Sequence, residues 1–280
     1  LLAILQFLLQ CIALAPPAMA YERARTGSGE PISWQEACVA FHVSDRGSDD
    51  VRFTDFYGVV DQAATTWSDV ECSPAQLSLE GITDDETVGF SPGETNLNLV
   101  VVHEEPEDWP YDRSIIGLTV LHVCAEISGD CRFEGQILDA DIELNGGYFR
   151  LSVGDPVARR GFDLLNTLTH EMGHVLGFDH SSVDDATMFE DALPGATNKR
   201  DLHQDDIDAL CDVYPQGLDT GTCPAPQVSG DFFVALDEMA GARKNTGCVA
   251  STVERVHAGG IFLMIGWVLL RLGLRRKPVM

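Results

Sequence analysis

The chain has 280 residues, of which 45% are hydrophobic and 22% are charged, so it is long enough to bury a substantial core. Its 18 basic and 44 acidic residues give a formal net charge of −26. This balance excludes a typical nucleic-acid-binding protein, which needs a positive surface. An acidic chain attracts cationic partners or calcium, but its charge does not identify a substrate.

The first 20 residues are an apolar run that ends in Ala18-Met19-Ala20. The small-x-small ending is typical of a secretory signal, so we predict that residues 1–20 are removed and that the mature chain begins at Tyr21. A retained membrane anchor is the alternative, but two glutamines and a Pro-Pro pair leave a short apolar span. We therefore expect an exported protein.

The cysteines agree with an oxidising compartment. One of the 8 cysteines, Cys11, lies in the predicted signal, which leaves an odd number. Pairing between neighbours in sequence predicts three disulfides: Cys38–Cys72, Cys124–Cys131 and Cys211–Cys223. Cys248 is then left without a partner in this prediction. For any one pair, buried free thiols are the alternative.

Apolar periodicity predicts a helix and several strands from residue 32 onwards, after a short segment, residues 21–31. Helical spacing of aromatic and aliphatic residues predicts a core-facing helix over residues 53–70. Alternating or apolar runs predict strands at 38–43, 76–79, 97–103, 115–124 and 136–144. His103 and His122 are single histidines on these strands, a pattern more typical of packed or surface residues than of metal ligands.

Acidic residues alternate along the last of these strands. Asp139, Asp141 and Glu143 are two residues apart, so their side chains point to one face. Carboxylate oxygens are the ligands that calcium prefers. The pattern is compatible with a calcium site and equally with a solvated acidic face.

The segment from Phe162 to Met188 contains His170-Glu171-x-x-His174-x-x-Gly177-x-x-His180. On a helix, residues four apart share a face, so His170 and His174 can bind one metal ion. Gly177, which tolerates positive φ, predicts the end of the helix and a turn that brings His180 to the same metal. Glu171, next to the first ligand, is placed to act on a water at an open zinc position.

This motif resembles that of the metzincin zinc endopeptidases, and specifically the matrixin branch. Phe178-Asp179-His180-Ser181-Ser182, the spacing to Met188, residues 202–210 with Tyr214, and residues 139–145 resemble the family in the same order. The resemblance covers residues 32–214 and implies a zincin-like α+β fold there. This fold has a twisted, mostly parallel sheet, an antiparallel edge strand, a long active-site helix and a small C-terminal subdomain that ends in a helix.

The same resemblance assigns roles to further residues. It implies that Met188 forms an apolar floor below the zinc, as a support and not a ligand. It implies an edge strand within Gly117 to His122 that pairs with extended protein or peptide substrates. Residues 181–200 would shape the pocket for the side chain after the scissile bond. Asp205 and Asp206 would anchor the mature N-terminus and brace the floor, although first-turn acids favoured by the helix dipole are the equal alternative.

The C-terminal part has a different character. Residues 215–257 are predicted to be a stalk, and residues 258–280 an apolar helix with a basic tail. The tail predicts attachment to a membrane or the cell envelope. With Cys248 before it, the order also resembles the tripartite sorting tails of some bacterial surface proteins, and a plain anchor is the alternative.

We therefore predict a secreted or surface-tethered zinc endopeptidase in which His170, His174 and His180 bind zinc and Glu171 is the general base. The first alternative is a non-catalytic zinc-containing surface or adhesion protein, for which Glu171 would have no purpose. A membrane-embedded protease is a second alternative, disfavoured because the zinc motif lies far from both apolar ends.

Overall fold

The computed structural model describes residues 20–155, 157–158, 160–221 and 223, together with the backbone of residues 261–264. The predicted signal lies outside these residues except for Ala20, as does most of the predicted stalk and tail. The elements in chain order are β1 (Glu22–Arg23), β2 (Cys38–Ser44), α1 (Phe53–Ser68), β3 (Gln76–Thr83), β4 (Asn98–His103), β5 (Gly117–Val123), β6 (Ile137–Asn145), β7 (Leu151–Ser152), β8 (Phe162–Asp163), α2 (Leu164–Val175), β9 (Phe178–Asp179), α3 (Gln204–Val213) and β10 (Ile261–Met264).

The central sheet has the order β10-β5-β6-β4-β2-β3. The strands β3, β2, β4 and β6 run parallel to one another, and β5 joins β6 in the antiparallel direction. The predicted mixed α+β architecture, with a mostly parallel sheet and an antiparallel strand beside it, is confirmed. The central strands β4 and β6 are buried nearly throughout, as expected for strands covered on both faces.

Helix α1 follows the predicted apolar spacing and buries one face against the core. Its buried residues are Phe53, Phe56, Tyr57, Val60, Ala63, Ala64 and Trp67. The Trp67 indole N–H donates a hydrogen bond of 2.8 Å to the Thr169 carbonyl oxygen of α2. This contact gives the buried indole a partner and fixes α1 against α2.

Helix α2 is buried along its whole length, which makes it the centre of the domain. Its N-cap Asp163 accepts a hydrogen bond from the Asn166 backbone N–H at 2.8 Å, and it also forms an ion pair with Arg200. The helix ends before Gly177, whose φ of +87° allows the chain to reverse. The predicted helix end is confirmed.

Two of the three predicted disulfides are wrong. Cys124–Cys131 is present, but the other bonds are Cys38–Cys223 and Cys72–Cys211. The error comes from pairing cysteines by their distance along the chain. The fold brings α3 back to the turn that follows α1, and the Ala37 backbone N–H donates a 2.9 Å hydrogen bond to the Asp219 carbonyl oxygen, so the two ends of the domain are joined.

The C-terminal apolar run contains a strand where we predicted a helix. Ile261–Met264 form β10, which pairs antiparallel with β5, so the helix prediction is wrong for these four residues. The rest of the predicted tail and Cys248 lie outside the described residues. Among the described helices, none combines the length and the apolar character needed to cross a membrane.

Candidate metal centre

Three imidazoles converge beside α2. Their candidate ligand atoms, from His170, His174 and His180, all lie within 4.8 Å of one another. The ring centroids are 4.8 to 5.3 Å apart. Zinc binds imidazole nitrogens at about 2.0–2.1 Å, so one ion can bridge this triad after small side-chain movements. The structure thus brings together the three residues predicted as ligands.

Backbone carbonyl groups orient two of the rings. The Nδ1 atom of His170 lies 2.7 Å from the Thr187 carbonyl oxygen, and that of His174 lies 2.8 Å from the Phe178 carbonyl oxygen. A carbonyl oxygen can only accept, so each Nδ1 carries the proton and each Nε2 keeps its lone pair. The Nε2 atoms of all three histidines are buried and have no hydrogen-bond partner within the described residues.

Burial also keeps the triad neutral. It lowers the pKa of His170 well below its usual value and that of His174 to about 3, and it lowers the pKa of His180 as well. The positive charge of Lys199 and the neighbouring rings add to this effect for His170. Neutral imidazoles with free Nε2 lone pairs are the form in which histidine binds zinc.

Met188, the residue predicted to form an apolar floor, is 2% exposed. The two carboxylate oxygens of Asp206 accept hydrogen bonds from the Thr187 and Met188 backbone N–H groups at 2.8 and 3.0 Å. Gly173 makes the close approach of the floor to α2 feasible, because a Cβ atom there would overlap Met188 Sδ and lie 2.9 Å from Trp67 Cζ2. Sequence reasoning did not assign this role to Gly173.

Glu171 is 1% exposed and lies on the β5 side of α2. The Thr119 hydroxyl oxygen of β5 lies 2.9 Å from Glu171 Oε2 and 3.0 Å from its carbonyl oxygen. Burial raises the pKa of Glu171 to about 7, against the lowering effects of Thr119 and Lys199. A carboxyl group with such a pKa can accept and return a proton near neutral pH. Thr119 was missed in the sequence because a threonine on a strand carries no sign of its partner.

A second missed residue is Lys199, which is 1% exposed. Its ammonium group donates to the Phe189 carbonyl oxygen and lies 3.3 Å from His170 Nδ1. Burial lowers the pKa of Lys199 to about 8. With Ile116, Thr167, Glu171 and others, Lys199 lines a small cavity of about 10 Å³ next to the triad. A lysine in a polar loop gives no sequence signal of such burial.

An antiparallel edge strand was predicted within Gly117 to His122. The antiparallel strand is present as β5, which spans Gly117–Val123, but its predicted place at the edge is wrong because β10 lies outside it. Its outer edge pairs with β10, in a register that places Met264 opposite Thr119 and Ile261 opposite His122. The edge beside Glu171 therefore accepts an extended antiparallel segment, in this case from the same chain. His122 stacks on Phe90, with ring centroids 4.6 Å apart, and is not in the triad.

The solvated acidic face is a wrong prediction. Asp139, Asp141 and Glu143 are at most 2% exposed. Glu143 accepts hydrogen bonds from the Tyr111 hydroxyl at 2.7 Å and pairs with His103 Nε2 at 2.6 Å. The neighbouring loops cover this face, which strand alternation alone could not reveal. Within the described residues, the histidine triad is the only group of three or more such side chains that could hold a metal, and calcium binding stays a prediction.

Asp205 and Asp206 combine the two roles that the sequence left open. Asp205 Oδ1 accepts hydrogen bonds from the backbone N–H groups of Ala20 and Tyr21 at 3.1 and 3.0 Å. Asp206 supports the floor and also accepts from the His203 backbone N–H at 2.9 Å, which forms a capping box at the start of α3. Helix capping and bracing of the site are therefore performed by the same pair.

A larger cavity of about 510 Å³ lies elsewhere, bordered by the end of α1, the following turn and residues 201–207. None of the triad residues lines it. The chemistry of the lining residues, and not the volume, identifies the site, because the metal-ligating atoms and the buried carboxylate meet at the smaller cavity.

Comparison with known proteins identifies relatives. The Matrixin family (peptidase M10) matches residues 33–215. The chain is 31% identical over 170 residues to metalloendoproteinase 5-MMP of Arabidopsis thaliana. This aligned region covers 60% of this chain and 42% of that protein. It is 28% identical over 255 residues to metalloendoproteinase 1-MMP of the same plant, covering 88% of this chain and 57% of that protein.

A bacterial relative matches more locally. Karilysin of Tannerella forsythia is 44% identical over 55 residues, or 19% of this chain and 11% of that protein. The aligned regions cover no more than 57% of the length of any of these three relatives. The family match covers well over half of the chain and includes His170, Glu171, His174, His180 and Met188, so this chain belongs to the matrixin family.

Proposed function

We propose that the chain is a zinc-dependent endopeptidase that hydrolyses peptide bonds in proteins. One observation carries the proposal: three buried Nε2 atoms, which have no hydrogen-bond partner in the part of the chain that the structure describes, converge beside a buried carboxylate. Buried polar atoms are normally paired, and three such imidazole nitrogens fit the donor set of a zinc ion with an open fourth position. The names of the metalloendoproteinase relatives support the same conclusion.

His170, His174 and His180 would hold the zinc through Nε2. When bound, zinc polarises the scissile carbonyl and lowers the pKa of the attacking water from about 15.7 towards about 7. The backbone carbonyls that accept from His170 and His174 keep the two rings in the required tautomer. Met188 keeps the floor apolar, which excludes water from the side of the ligands that faces the core.

Glu171 transfers the proton. Its carboxylate accepts a proton from the attacking water while the water oxygen bonds to the carbonyl carbon, and it then protonates the leaving amine as the C–N bond breaks. Its burial supports this role because the raised pKa, about 7, suits a group that both takes and returns a proton. The Thr119 hydroxyl, 2.9 Å from Oε2, holds the carboxylate in place.

The substrate would bind as an extended strand along β5. The pairing of β10 with Thr119 to His122 supports this proposal, because it leaves the main-chain groups of this edge satisfied by an antiparallel segment. A substrate on the same edge would have to displace β10. Main-chain pairing holds a peptide in register beside the triad and favours stretches of polypeptide that can become extended.

Export is part of the proposal. Signal cleavage after Ala20 would create an α-ammonium group on Tyr21, whose nitrogen lies 3.0 Å from Asp205 Oδ1. The resulting ion pair would tie the new N-terminus to α3, whose neighbouring Asp206 supports the floor. The oxidised cysteine pairs also favour an extracellular compartment.

The test is Glu171→Gln, which removes the base and keeps the shape of the side chain. We expect kcat/KM on casein to fall about 10²- to 10⁴-fold while zinc content, measured by elemental analysis, stays at the level of the unaltered chain. The exposed Glu107→Gln is the matched control and should keep full activity. Bound zinc without chelator-sensitive cleavage by the unaltered chain would instead support the non-catalytic surface protein.

A further inference from the structure

The small cavity beside Glu171 has a charged wall. It is lined by side chains of α2, by Ile116 before β5, and by Ala192 and Lys199 from the loop after the triad. Its volume of about 10 Å³ is roughly that needed for one water molecule. A large aromatic side chain therefore does not fit without movement of the loop.

Lys199 is held firmly in this wall. Its backbone N–H donates a 2.8 Å hydrogen bond to Asn166 Oδ1 of α2, and its ammonium group donates to the Phe189 carbonyl oxygen. The nearby His170 Nδ1, at 3.3 Å, cannot accept from it because that nitrogen donates to Thr187. Two of the three ammonium hydrogens therefore have no acceptor in the described part of the chain.

The ammonium group also lacks a counter-ion. Four carboxylates are close enough to raise the pKa of Lys199: Glu171, Asp191, Asp206 and Glu190. Within the described residues, none of them forms an ion pair with its ammonium group at 4.0 Å or less. A buried cation without a carboxylate partner is costly to desolvate. Such a site favours an anion that can enter the cavity.

The position of the cavity identifies which substrate residue can enter it. Glu171 has to reach the leaving amine, which belongs to the residue after the scissile bond. Because Glu171 lines the cavity, the side chain of that residue lies within reach of it. The residue would thus meet Lys199 in a space where a short side chain needs the smallest movement of the loop that carries Ala192 and Lys199.

We propose that Lys199 makes this site select substrates in which the residue after the scissile bond carries a short carboxylate side chain, aspartate before glutamate. The carboxylate would enter the cavity as the loop moves and would accept hydrogen bonds from the remaining ammonium hydrogens. This inference rests on the proposed peptidase function. The competing arrangement is an internal pair with Asp191, whose Oδ1 is buried without a hydrogen-bond partner in the described residues. That pair would neutralise Lys199 and favour apolar side chains.

The experiment uses the full zinc-loaded protein and peptides that differ only in the residue after the cleaved bond: Asp, Asn, Glu, Ala and Leu. We expect kcat/KM for the Asp peptide to exceed that for the isosteric Asn peptide about tenfold or more, since a charge-assisted hydrogen bond is replaced by a neutral one. In Lys199→Met the Asp advantage should disappear and Leu should be preferred. Lys199→Arg should keep a preference for the acidic residue.

Ratios between peptides within one preparation do not depend on the fraction of active protein, so partial misfolding of Lys199→Met cannot imitate the result. If that variant does not fold, the Asp-to-Asn ratio of the unaltered chain and the Lys199→Arg series still decide the matter. Equal cleavage of Asp, Asn and Leu peptides would overturn this inference and leave the peptidase intact. Cleavage of no peptide and no protein would overturn both.

Discussion

Two clusters of buried ionisable side chains, the histidine triad and the acidic residues of β6, differ in how their polar atoms are paired. In the triad, the Nε2 atoms of His170, His174 and His180 have no partner within the described residues. On β6, Glu143 is paired with His103 and Tyr111, and the Asp141 carboxylate accepts the backbone N–H of Leu99 at 2.9 Å and that of Gly89.

The difference separates a ligand site from a structural network. Burial alone does not, because both clusters contain fully buried members: His170 and His174 in one, and Asp139, Asp141 and Glu143 in the other. Buried polar groups in native proteins are paired, so atoms that converge without partners point to a ligand, whereas atoms satisfied by the protein stabilise the fold itself. On this reasoning the triad is a metal centre, and the acidic strand ties the loops around residues 89–111 to the sheet.

The largest expected effect is the loss of metal in His180→Ala. Removing one of three ligands should abolish stoichiometric zinc binding, and with it the stabilisation of about 4 kcal/mol expected when free zinc is 1,000-fold above its Kd. Zinc content by elemental analysis and Tm with and without added zinc measure both consequences. Glu143→Gln alters the other cluster and should keep zinc. Loss of zinc in Glu143→Gln as well would break the distinction between the clusters.

The next effect concerns packing at the metal centre. In Gly173→Ala the new methyl group would overlap Met188 Sδ, so the floor would have to move away from the triad. We expect the free energy of unfolding to fall by about 1–3 kcal/mol, measured by urea denaturation. Gly58→Ala on the exposed face of α1 is the matched control, since nothing lies within 4 Å of its Cβ. The control should be neutral or slightly stabilising, by about 0.4–1 kcal/mol.

The sequence predicted those parts of the site that have fixed spacing. The triad, Glu171 and the end of the helix at Gly177 follow from helical periodicity and from one residue that tolerates positive φ. The core face of α1 was predicted for the same reason, since each contact is implied by positions only three or four apart. Such local patterns constrain geometry without knowledge of the fold.

Contacts between distant segments could not be predicted in this way. Cys72 pairs with Cys211, 139 residues away, and not with Cys38. Thr119 and Lys199 reach Glu171 and His170 from separate elements, and neither residue type indicates its partner. The prediction of a solvated acidic face on β6 was wrong for a similar reason. Alternation places the acidic side chains on a shared face, but only the packing of other loops decides whether that face is solvated.

A smaller effect is expected at the contact between β5 and the base. Thr119→Val removes the hydroxyl that lies 2.9 Å from Glu171 Oε2 and keeps the shape of the side chain. We expect kcat/KM to fall about tenfold, equivalent to about 1.4 kcal/mol, with unchanged zinc content. Thr66→Val on the exposed half of α1 is a matched control with no contact to the site. An unaltered rate in Thr119→Val would show that burial alone holds the carboxylate.

The smallest expected effect concerns the acidic residues of β6. Burial raises the pKa of Asp139 to about 6 and, together with repulsion from Asp139, raises that of Asp141 to about 8. A carboxyl group whose pKa is higher in the folded state stabilises the fold fully below its unfolded pKa of about 3.9, and this contribution is lost as pH rises through the folded value. Because of this pair, the free energy of unfolding should therefore fall as pH rises from about 4 to about 8.

Asp139→Asn replaces the group that loses its proton first with an amide whose oxygen can still accept a hydrogen bond from Asp141. The variant should match the unaltered chain near pH 5 and be more stable at pH 8, by on the order of 1 kcal/mol, because one pKa unit corresponds to about 1.4 kcal/mol. Urea denaturation at both pH values measures the difference, with the exposed Asp130→Asn as the control. A difference that did not grow with pH would mean that the acids of β6 are kept ionised by a bound cation, and the two clusters would then be of the same kind.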